Sequence, residues 1–294
     1  MKNSKALIIL SFFAIYVIWG STYLFNKIAV TELPAFFLAS IRFFTAGCIM
    51  IFIAYITNAD LKISKKEFIN ILITSFFFLI YGNSVFVWAL QFVDSGFGSL
   101  IASTNPLFVL IMMRIIDKKQ MKKKSILGVF LGILGMFLLI SQEELTTTNS
   151  TLIGILIILT CVLSWSYGSI FVAKAILPKN FLVSSGYQMI FGSLFLTSIS
   201  FFFQEKWSSP LIWSFKVQVS MLFLIIFGGI IAFTAFNFLL KRVSPEKVST
   251  SAYVNPVIAL IMGWYFLDEK LNVQSIIASI ILLLGVYFIS SRKE

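Results

Sequence analysis

Long apolar runs, separated only by short polar breaks, occupy almost the whole chain. They lie at 7 to 29, 34 to 57, 67 to 91, 95 to 116, 125 to 141, 152 to 174, 181 to 203, 217 to 240, 246 to 267 and 271 to 291. As a helix, each run can cross a hydrocarbon layer of roughly 30 Å. Charged residues make up only 12% of the chain, against about a quarter in soluble domains. The sequence therefore predicts an all-α integral membrane protein whose ten transmembrane helices lie in a lipid bilayer.

Basic residues are concentrated in alternate breaks between these runs. If the N-terminus is cytoplasmic, 18 of the 23 Lys and Arg residues fall in inside segments, 4 fall outside, and Arg42 lies within a run. This bias follows the positive-inside rule and predicts a multi-pass protein of the plasma membrane with cytoplasmic N- and C-termini. It also accounts for the net charge of +11, so we expect no nucleic-acid partner.

The two halves of the chain resemble each other. A shift of 150 residues, or of 146 near the start of each half, pairs Asn105-Pro106 with Asn255-Pro256, Trp19 with Trp165, and Arg42 with Gln188. Each half holds five runs, an odd number, so the halves must enter the membrane from opposite faces. We expect two repeats, 1–141 and 150–294, in the inverted arrangement of secondary transporters, whose substrate site lies near the midplane.

Several of these residues resemble the EamA family of the drug/metabolite transporter superfamily. They are Ile18-Trp19-Gly20-Ser21-Thr22-Tyr23 with Lys27, Arg42-Phe43, and the two Asn-Pro pairs. No single motif is very specific, but their order, spacing and duplication together are. The resemblance implies a ten-helix basket around a central cavity, cytoplasmic termini, and export or exchange of amino acids, other metabolites or drugs. It implies no single substrate.

The acidic residues are absent from the predicted membrane interior. All twelve lie in breaks or at the ends of runs, and the chain has no histidine. Proton-coupled carriers commonly relay protons through Asp, Glu or His at membrane depth, so we expect facilitated or exchange transport, with Asp94 as the remaining candidate proton carrier. Cys48 and Cys161 are far apart and have no CxxC spacing, so we expect no metal, disulfide or cofactor.

Arg42 is charged and lies within an apolar run. It follows Pro34 by eight residues, which places it roughly 12 Å along the helix, near the bilayer centre. Facing lipid there would cost at least about 2.5 to 3.5 kcal/mol. Inside the bundle, it either serves structure by bonding to carbonyls, Asn or Ser, or binds a substrate carboxylate or phosphate. The other half offers neutral Gln188 in its place.

Further polar and aromatic side chains are distributed over runs from both halves. Trp and Tyr often form interfacial belts, whereas an amide needs partners and favours the bundle interior. We predict substrate or cavity contacts for Trp19, Tyr23, Arg42, Asn83, Asn105, Trp165, Tyr167, Gln188, Asn237, Tyr253 and Asn255. Pro106 and Pro256 each remove a helix hydrogen bond and are predicted kinks or hinges.

Glycines in the fifth run favour close helix contact, through Gly128-xxx-Gly132 and Gly135. This contact is either internal or part of a homodimer, so the sequence leaves monomer and homo-oligomer open. We expect a secondary permease that exports or exchanges a small-molecule substrate by alternating access, with amino acids as the first candidates. The alternatives are a multidrug exporter or, from another class, a membrane-embedded enzyme or structural helix bundle. The absence of histidine, intramembrane acids and a nucleophile–base pair argues against an enzyme.

Overall fold

The computed structural model describes residues 2–89, 92, 101–118, 120, 122–141, 149–267 and 272–290, and these contain helices but no strand. Three helices are continuous through several stretches: α1 (Lys2–Phe13, Ala14–Ile18, Trp19–Ala29), α3 (Lys65–Ser75, Phe76–Val85, Phe86–Ala89) and α8 (Phe215–Phe223, Leu224–Phe233, Thr234–Leu240). The others are α2 (Ala35–Ile56), α4 (Asn105–Asp117), α5 (Lys123–Ile140), α6 (Asn149–Lys174), α7 (Phe181–Phe202), α9 (Pro245–Ser249, Ser251–Leu267) and α10 (Val273–Ser290). Asp94 lies outside the described residues.

Seven helical stretches in the described part of the chain are long and apolar enough to cross a membrane. They are Lys5–Ala29, Ala35–Ile56, Lys65–Ala89, Leu152–Lys174, Phe181–Phe202, Phe215–Leu240 and Val273–Ser290. The described part of α4 has 13 residues and the longer part of α9 has 17. The predicted all-helical, multi-pass membrane protein is therefore confirmed.

The loops between the helices define two faces of the bundle. On face A, formed by residues 30–34 and 203–214, Glu32 accepts a hydrogen bond from the Ser214 amide at 3.0 Å. The hydrogen bond of the Ser214 side chain, and then that of its amide, lower the pKa of Glu32. Glu205 accepts hydrogen bonds from the amides of Phe36 at 3.1 Å and Phe37 at 2.6 Å. A carboxylate there satisfies free N–H groups at the α2 N-terminus.

Face B, at the other end of the helices, is formed by residues 57–64, 175–180 and 241–244. Its loops are also joined to the helices by polar contacts. The Tyr187 hydroxyl donates to the Leu61 carbonyl at 3.0 Å, and Asn70 Nδ2 donates to the Ile176 carbonyl at 2.8 Å. Each end of the bundle is therefore held by its own set of polar contacts.

Three helices contain stretches of π-helix, which is rare and found mostly at functional sites. Those in α3 (Phe76–Val85) and α8 (Leu224–Phe233) have ten residues each, and their first residues are 148 positions apart in the sequence. The third, Ala14–Ile18, lies in α1. The matching stretches of α3 and α8 add a structural feature to the sequence similarity of the two halves.

Equivalent helices of the two halves pack directly on each other through glycines. In the α2–α7 contact, a Cβ added to Gly47 would lie 2.9 Å from the Gly186 carbonyl oxygen. In the α5–α10 contact, a Cβ on Gly128 would lie 2.7 Å from the Gly285 carbonyl oxygen. Packing within the chain therefore accounts for the close helix contact predicted at Gly128.

Gly132 provides a test of this packing, because a Cβ there would lie 2.1 Å from Cζ of Tyr253, which is fully buried. We expect Gly132→Ala to destabilise the fold by about 1 to 3 kcal/mol, since overpacking forces a buried ring to move. The matched control is Gly228→Ala, whose added Cβ would meet Thr22 Cγ2 at 3.1 Å. Thermal unfolding of the purified variants in detergent measures both; equal melting temperatures would contradict the tight contact.

Candidate functional site

Four aromatic rings meet near mid-height of the bundle, and we call them the aromatic plug: Trp19 (α1), Phe78 (α3), Trp165 (α6) and Phe236 (α8). The ring centroids of Trp19 and Trp165 are 5.9 Å apart, and Phe236 lies 5.0 and 5.5 Å from them. Phe78 lies 4.9 Å from Trp165 and 5.3 Å from Phe236. Trp19 and Trp165 are thus in contact, in an apolar cluster built by both halves.

Arg42 lies on the face A side of the plug as the eighth residue of α2 and is 8% exposed. Its Nη1 donates to Asn26 Oδ1 on α1 at 3.2 Å, and its Nη2 donates to Asn83 Oδ1 on α3 at 3.3 Å. Nε has no hydrogen-bond partner among the described residues, and the guanidinium carbon lies 4.4 Å from the Phe43 ring centroid. Amides thus bind the cation but do not neutralise it.

Gln188 occupies the equivalent place on the face B side, as the eighth residue of α7. It is fully buried, and its Nε2 donates to Ser184 Oγ at 3.2 Å and Asn237 Oδ1 at 3.5 Å. Asn237 in turn donates to Ser185 Oγ at 3.3 Å. Gln188 Oε1 has no hydrogen-bond partner in the part of the chain that the structure describes. The two halves therefore each bury a polar group with an unused hydrogen-bonding atom.

The asparagines of the two Asn-Pro pairs join their helices to α6 and α1. With its amide nitrogen turned toward α1, Asn255 donates to the carbonyls of Ile15 at 2.9 Å and Tyr16 at 3.1 Å. Asn105 donates to Ser166 Oγ at 2.9 Å, and Ser166 donates to the Val162 carbonyl at 2.8 Å. The shift of 146 residues pairs Tyr16 with Val162. These contacts hold helices together, and a cavity role for either asparagine stays a prediction.

The two prolines of those pairs have different local structures. Pro106 lies in the first turn of α4, directly after a break at Thr104 that separates α4 from helical residues 101–103. Pro256 is inside the Ser251–Leu267 stretch of α9, as predicted. A hinge role for either residue stays a prediction.

The three tyrosines of the predicted site do not share one environment. Tyr253 is fully buried against Gly132, and its hydroxyl donates to the Val129 carbonyl at 3.4 Å, so it packs α9 on α5. Tyr167, 38% exposed, lines an apolar groove of about 340 Å³ between α3, α4 and α6. Tyr23 is 45% exposed, one helical turn from Trp19 on the same face of α1.

A second cavity, of about 300 Å³, opens at face B and reaches Ser184 and Asn237, two partners of Gln188. It is also lined by Leu177, Pro178, Lys179, Phe181, Lys241 and Arg242. A polar route thus runs from face B toward Gln188.

Residues that the sequence analysis did not single out complete the site. Phe78 and Phe236 are two among 33 phenylalanines, so nothing in the sequence distinguishes them. Asn26 lies one helical turn after Thr22-Tyr23, and its amide within an apolar run could have identified it from the sequence as a buried polar residue. Glu246, the second residue of α9, lies at a helix end yet is fully buried. Among the described residues, no three His, Cys, Asp or Glu side chains form a metal-binding group.

The amide partners of Arg42 give a test of how its charge is stabilised. We expect Asn83→Leu to destabilise the fold by about 1 to 3 kcal/mol, because it leaves a buried cation with fewer partners. Arg42→Gln should be neutral or slightly stabilising, because it removes the charge from an apolar interior. The double variant should recover most of the loss from Asn83→Leu. Thermal unfolding in detergent measures all three; a larger loss for Arg42→Gln than for Asn83→Leu would contradict this account.

Comparison with known proteins adds the family. A model described as the EamA-like transporter family matches residues 6–141 and 152–291. The chain is 24% identical to an uncharacterized transporter, YoaV, of Bacillus subtilis (strain 168) over 98% of this chain and 99% of that one. It is 29% identical to an uncharacterized inner membrane transporter, YedA, of Escherichia coli (strain K12), over 96% and 90% of the two chains.

A solved crystal structure of another protein shows the same fold, with a TM-score of 0.80 and 17% sequence identity. The match covers 95% of this chain and 94% of that one. The resemblance to the EamA family seen in the sequence is confirmed by the family match. The chain belongs to the EamA-like transporter family and is an all-helical, multi-pass membrane transporter.

Proposed function

We propose that this protein is a secondary permease that exports small metabolites, with amino acids as the first candidates, by alternating access. The observation that carries the proposal is the pair of buried polar groups, Arg42 with its two asparagines and Gln188 with Asn237, on opposite sides of the aromatic plug. A solute that enters from one face meets one polar group, and passage to the other requires the plug to part.

The proposed architecture is ten transmembrane helices in two inverted repeats, 1–141 and 150–294. Four features support it: the matching π stretches of α3 and α8, the direct packing of α2 on α7 and of α5 on α10, the bonds of Asn105 to α6 and of Asn255 to α1, and a family model that matches twice. In transporters with inverted repeats the solute site lies between the halves, and we expect the same here.

Arg42 is the proposed binding group for an anionic part of the solute, such as a carboxylate. Among the described residues, its partners are neutral and its Nε has no hydrogen-bond partner. A charge-assisted bond from a carboxylate is stronger than a bond from an amide, so the solute anion would replace solvation that the bundle supplies only in part. Because no carboxylate is bonded to Arg42 among the described residues, we propose facilitated or exchange transport without a proton relay at this site.

The transport test compares Arg42→Gln with Arg114→Gln, which removes an exposed arginine from α4. Cells expressing the protein are screened for resistance to toxic amino-acid analogues and to cationic drugs. We expect resistance to the analogues, and Arg42→Gln should lower their export by at least about tenfold, since one charge-assisted hydrogen bond is worth roughly 1.5 to 3 kcal/mol. Arg114→Gln should export them normally.

The same assay separates the alternatives. Resistance to cationic drugs alone would favour a multidrug exporter, and normal export by Arg42→Gln would remove Arg42 from the site. In proteoliposomes at zero membrane potential, an imposed pH gradient should leave the flux unchanged. A steep rise with the gradient would show proton coupling instead.

For orientation, we propose that face B and both termini are cytoplasmic. Leu211, on face A, is 90% exposed, and Lys62, on face B, is also exposed. With Cys48 and Cys161 replaced, an impermeant maleimide added to intact cells should label Leu211→Cys but not Lys62→Cys. After the cells are permeabilised, both should react. Labelling of Lys62→Cys in intact cells would reverse the assignment.

A further inference from the structure

The cavity at face B is bordered by three cations. Lys179 and Arg242 are exposed, Lys241 is partly buried, and the cavity lining contains no acidic residue. None of the three forms an ion pair with a carboxylate in the described ranges. Lys241 Nζ instead donates to the Ala175 carbonyl, and the Arg242 guanidinium carbon lies 5.6 Å from the Phe238 ring centroid. The rim therefore carries positive charge that no ion pair among the described residues neutralises.

Lys241 carries its positive charge in a partly desolvated place, where the charged form costs free energy. Lys241 follows the end of α8 and lies against the 175–180 loop, and desolvation there lowers the pKa of its ammonium group. An anion that entered the cavity would offset that cost, because opposite charges attract more strongly away from bulk water. Lysines that serve only to set topology need no such position.

The floor of the same cavity is polar and continues into the bundle. Ser184 and Asn237 line it, and both accept hydrogen bonds from Gln188, whose Oε1 has no partner among the described residues. The cations thus border a route to a buried polar group, whereas Lys62, Lys65 and Lys66 are exposed on the same face, outside the lining.

The loops on face A are less positive where the structure describes them, because they hold Glu32, Glu205 and one basic residue, Lys206. There, Glu32 and Glu205 bind backbone amides of Ser214, Phe36 and Phe37. A diffusing anion would therefore concentrate at face B, since clefts lined by one sign of charge raise the local concentration of the opposite sign.

We propose that the face B cavity is a loading site for the anionic group, a carboxylate or phosphate, of the solute, bound by Lys179, Lys241 and Arg242 before the solute passes to Gln188 and Asn237. This inference rests on the proposed transport function and deepens it by giving the charge of the solute and the face at which it is loaded. The same chemistry is found in the phosphate of an anionic lipid, so the test must separate the two sources.

The test measures the charge of the cavity without measuring transport. Leu177, which lines the cavity, is replaced by cysteine in the full chain, and the protein is placed in phosphatidylcholine nanodiscs, where both faces are accessible. The rates of its reaction with a sulfonate-bearing and a trimethylammonium-bearing methanethiosulfonate are compared, with labelling at residue 177 read by peptide mass spectrometry. We expect the anionic reagent to be favoured, and K179Q/K241Q/R242Q to lower that preference by at least about fivefold.

The matched control, K62Q/K65Q/K66Q, removes three charges from the same face and should leave the preference nearly unchanged. Because Lys241 also holds the 175–180 loop, K179Q/R242Q is measured alongside and should show a smaller decrease. Inorganic phosphate should slow labelling of the otherwise unchanged protein more than chloride at equal ionic strength, and should lose this effect in the triple cavity variant.

Three results would overturn the proposal. They are an unchanged preference in the triple cavity variant, an equal loss in the matched control, and a preference that disappears when phosphatidylglycerol is included in the nanodisc, which would identify the occupant as lipid. Arg42→Gln should keep the labelling preference whether or not it transports, so failure of the transport proposal and failure of the loading site give different results.

Discussion

A chain that crosses a bilayer must satisfy its backbone hydrogen-bonding groups internally. The π stretches need additional partners for their carbonyl groups. In each of the three described π stretches, a side chain from a facing helix bonds to a carbonyl. Trp19 on α1 donates to Gly228 in α8, Ser164 on α6 donates to Phe77 in α3, and Asn255 on α9 donates to Ile15 and Tyr16 in α1. The irregular helices around the plug are thus tied to one another, so a change in one alters the hydrogen bonding of the next.

The two halves use equivalent positions for different chemistry. The eighth residue of α2 is a cation with two amide partners, and the eighth residue of α7 is an amide with a serine and an asparagine. The shared scaffold therefore presents a charged group toward one face and a neutral one toward the other. If an anion binds at Arg42, its release must break charge-assisted bonds, whereas Gln188 and Asn237 offer only neutral ones. This difference can give transport a direction without a carboxylate bonded to Arg42 or Gln188 in the described residues.

Much of the fold could be predicted because apolar length and periodic breaks specify membrane helices directly. The pairing of Arg42 with Gln188 and of Trp19 with Trp165 came from duplication, and the structure places these residues near the centre of the bundle. The sequence could not reveal which of many phenylalanines join the plug, because ring contacts depend on helix rotation. It also could not reveal that Asn105, Tyr253 and Asn255 join helices, because a polar side chain in an apolar run has the same pattern whether it joins helices or lines a cavity.

The aromatic plug also determines what does not cross. Trp19 already donates its indole N–H to Gly228, and Phe78 and Phe236 have no polar atoms, so these three rings offer little to a continuous file of water. Without such a file, protons and small ions have no low-energy path between the two polar groups. In this conformation, the plug residues therefore offer no polar path through which the membrane potential could discharge.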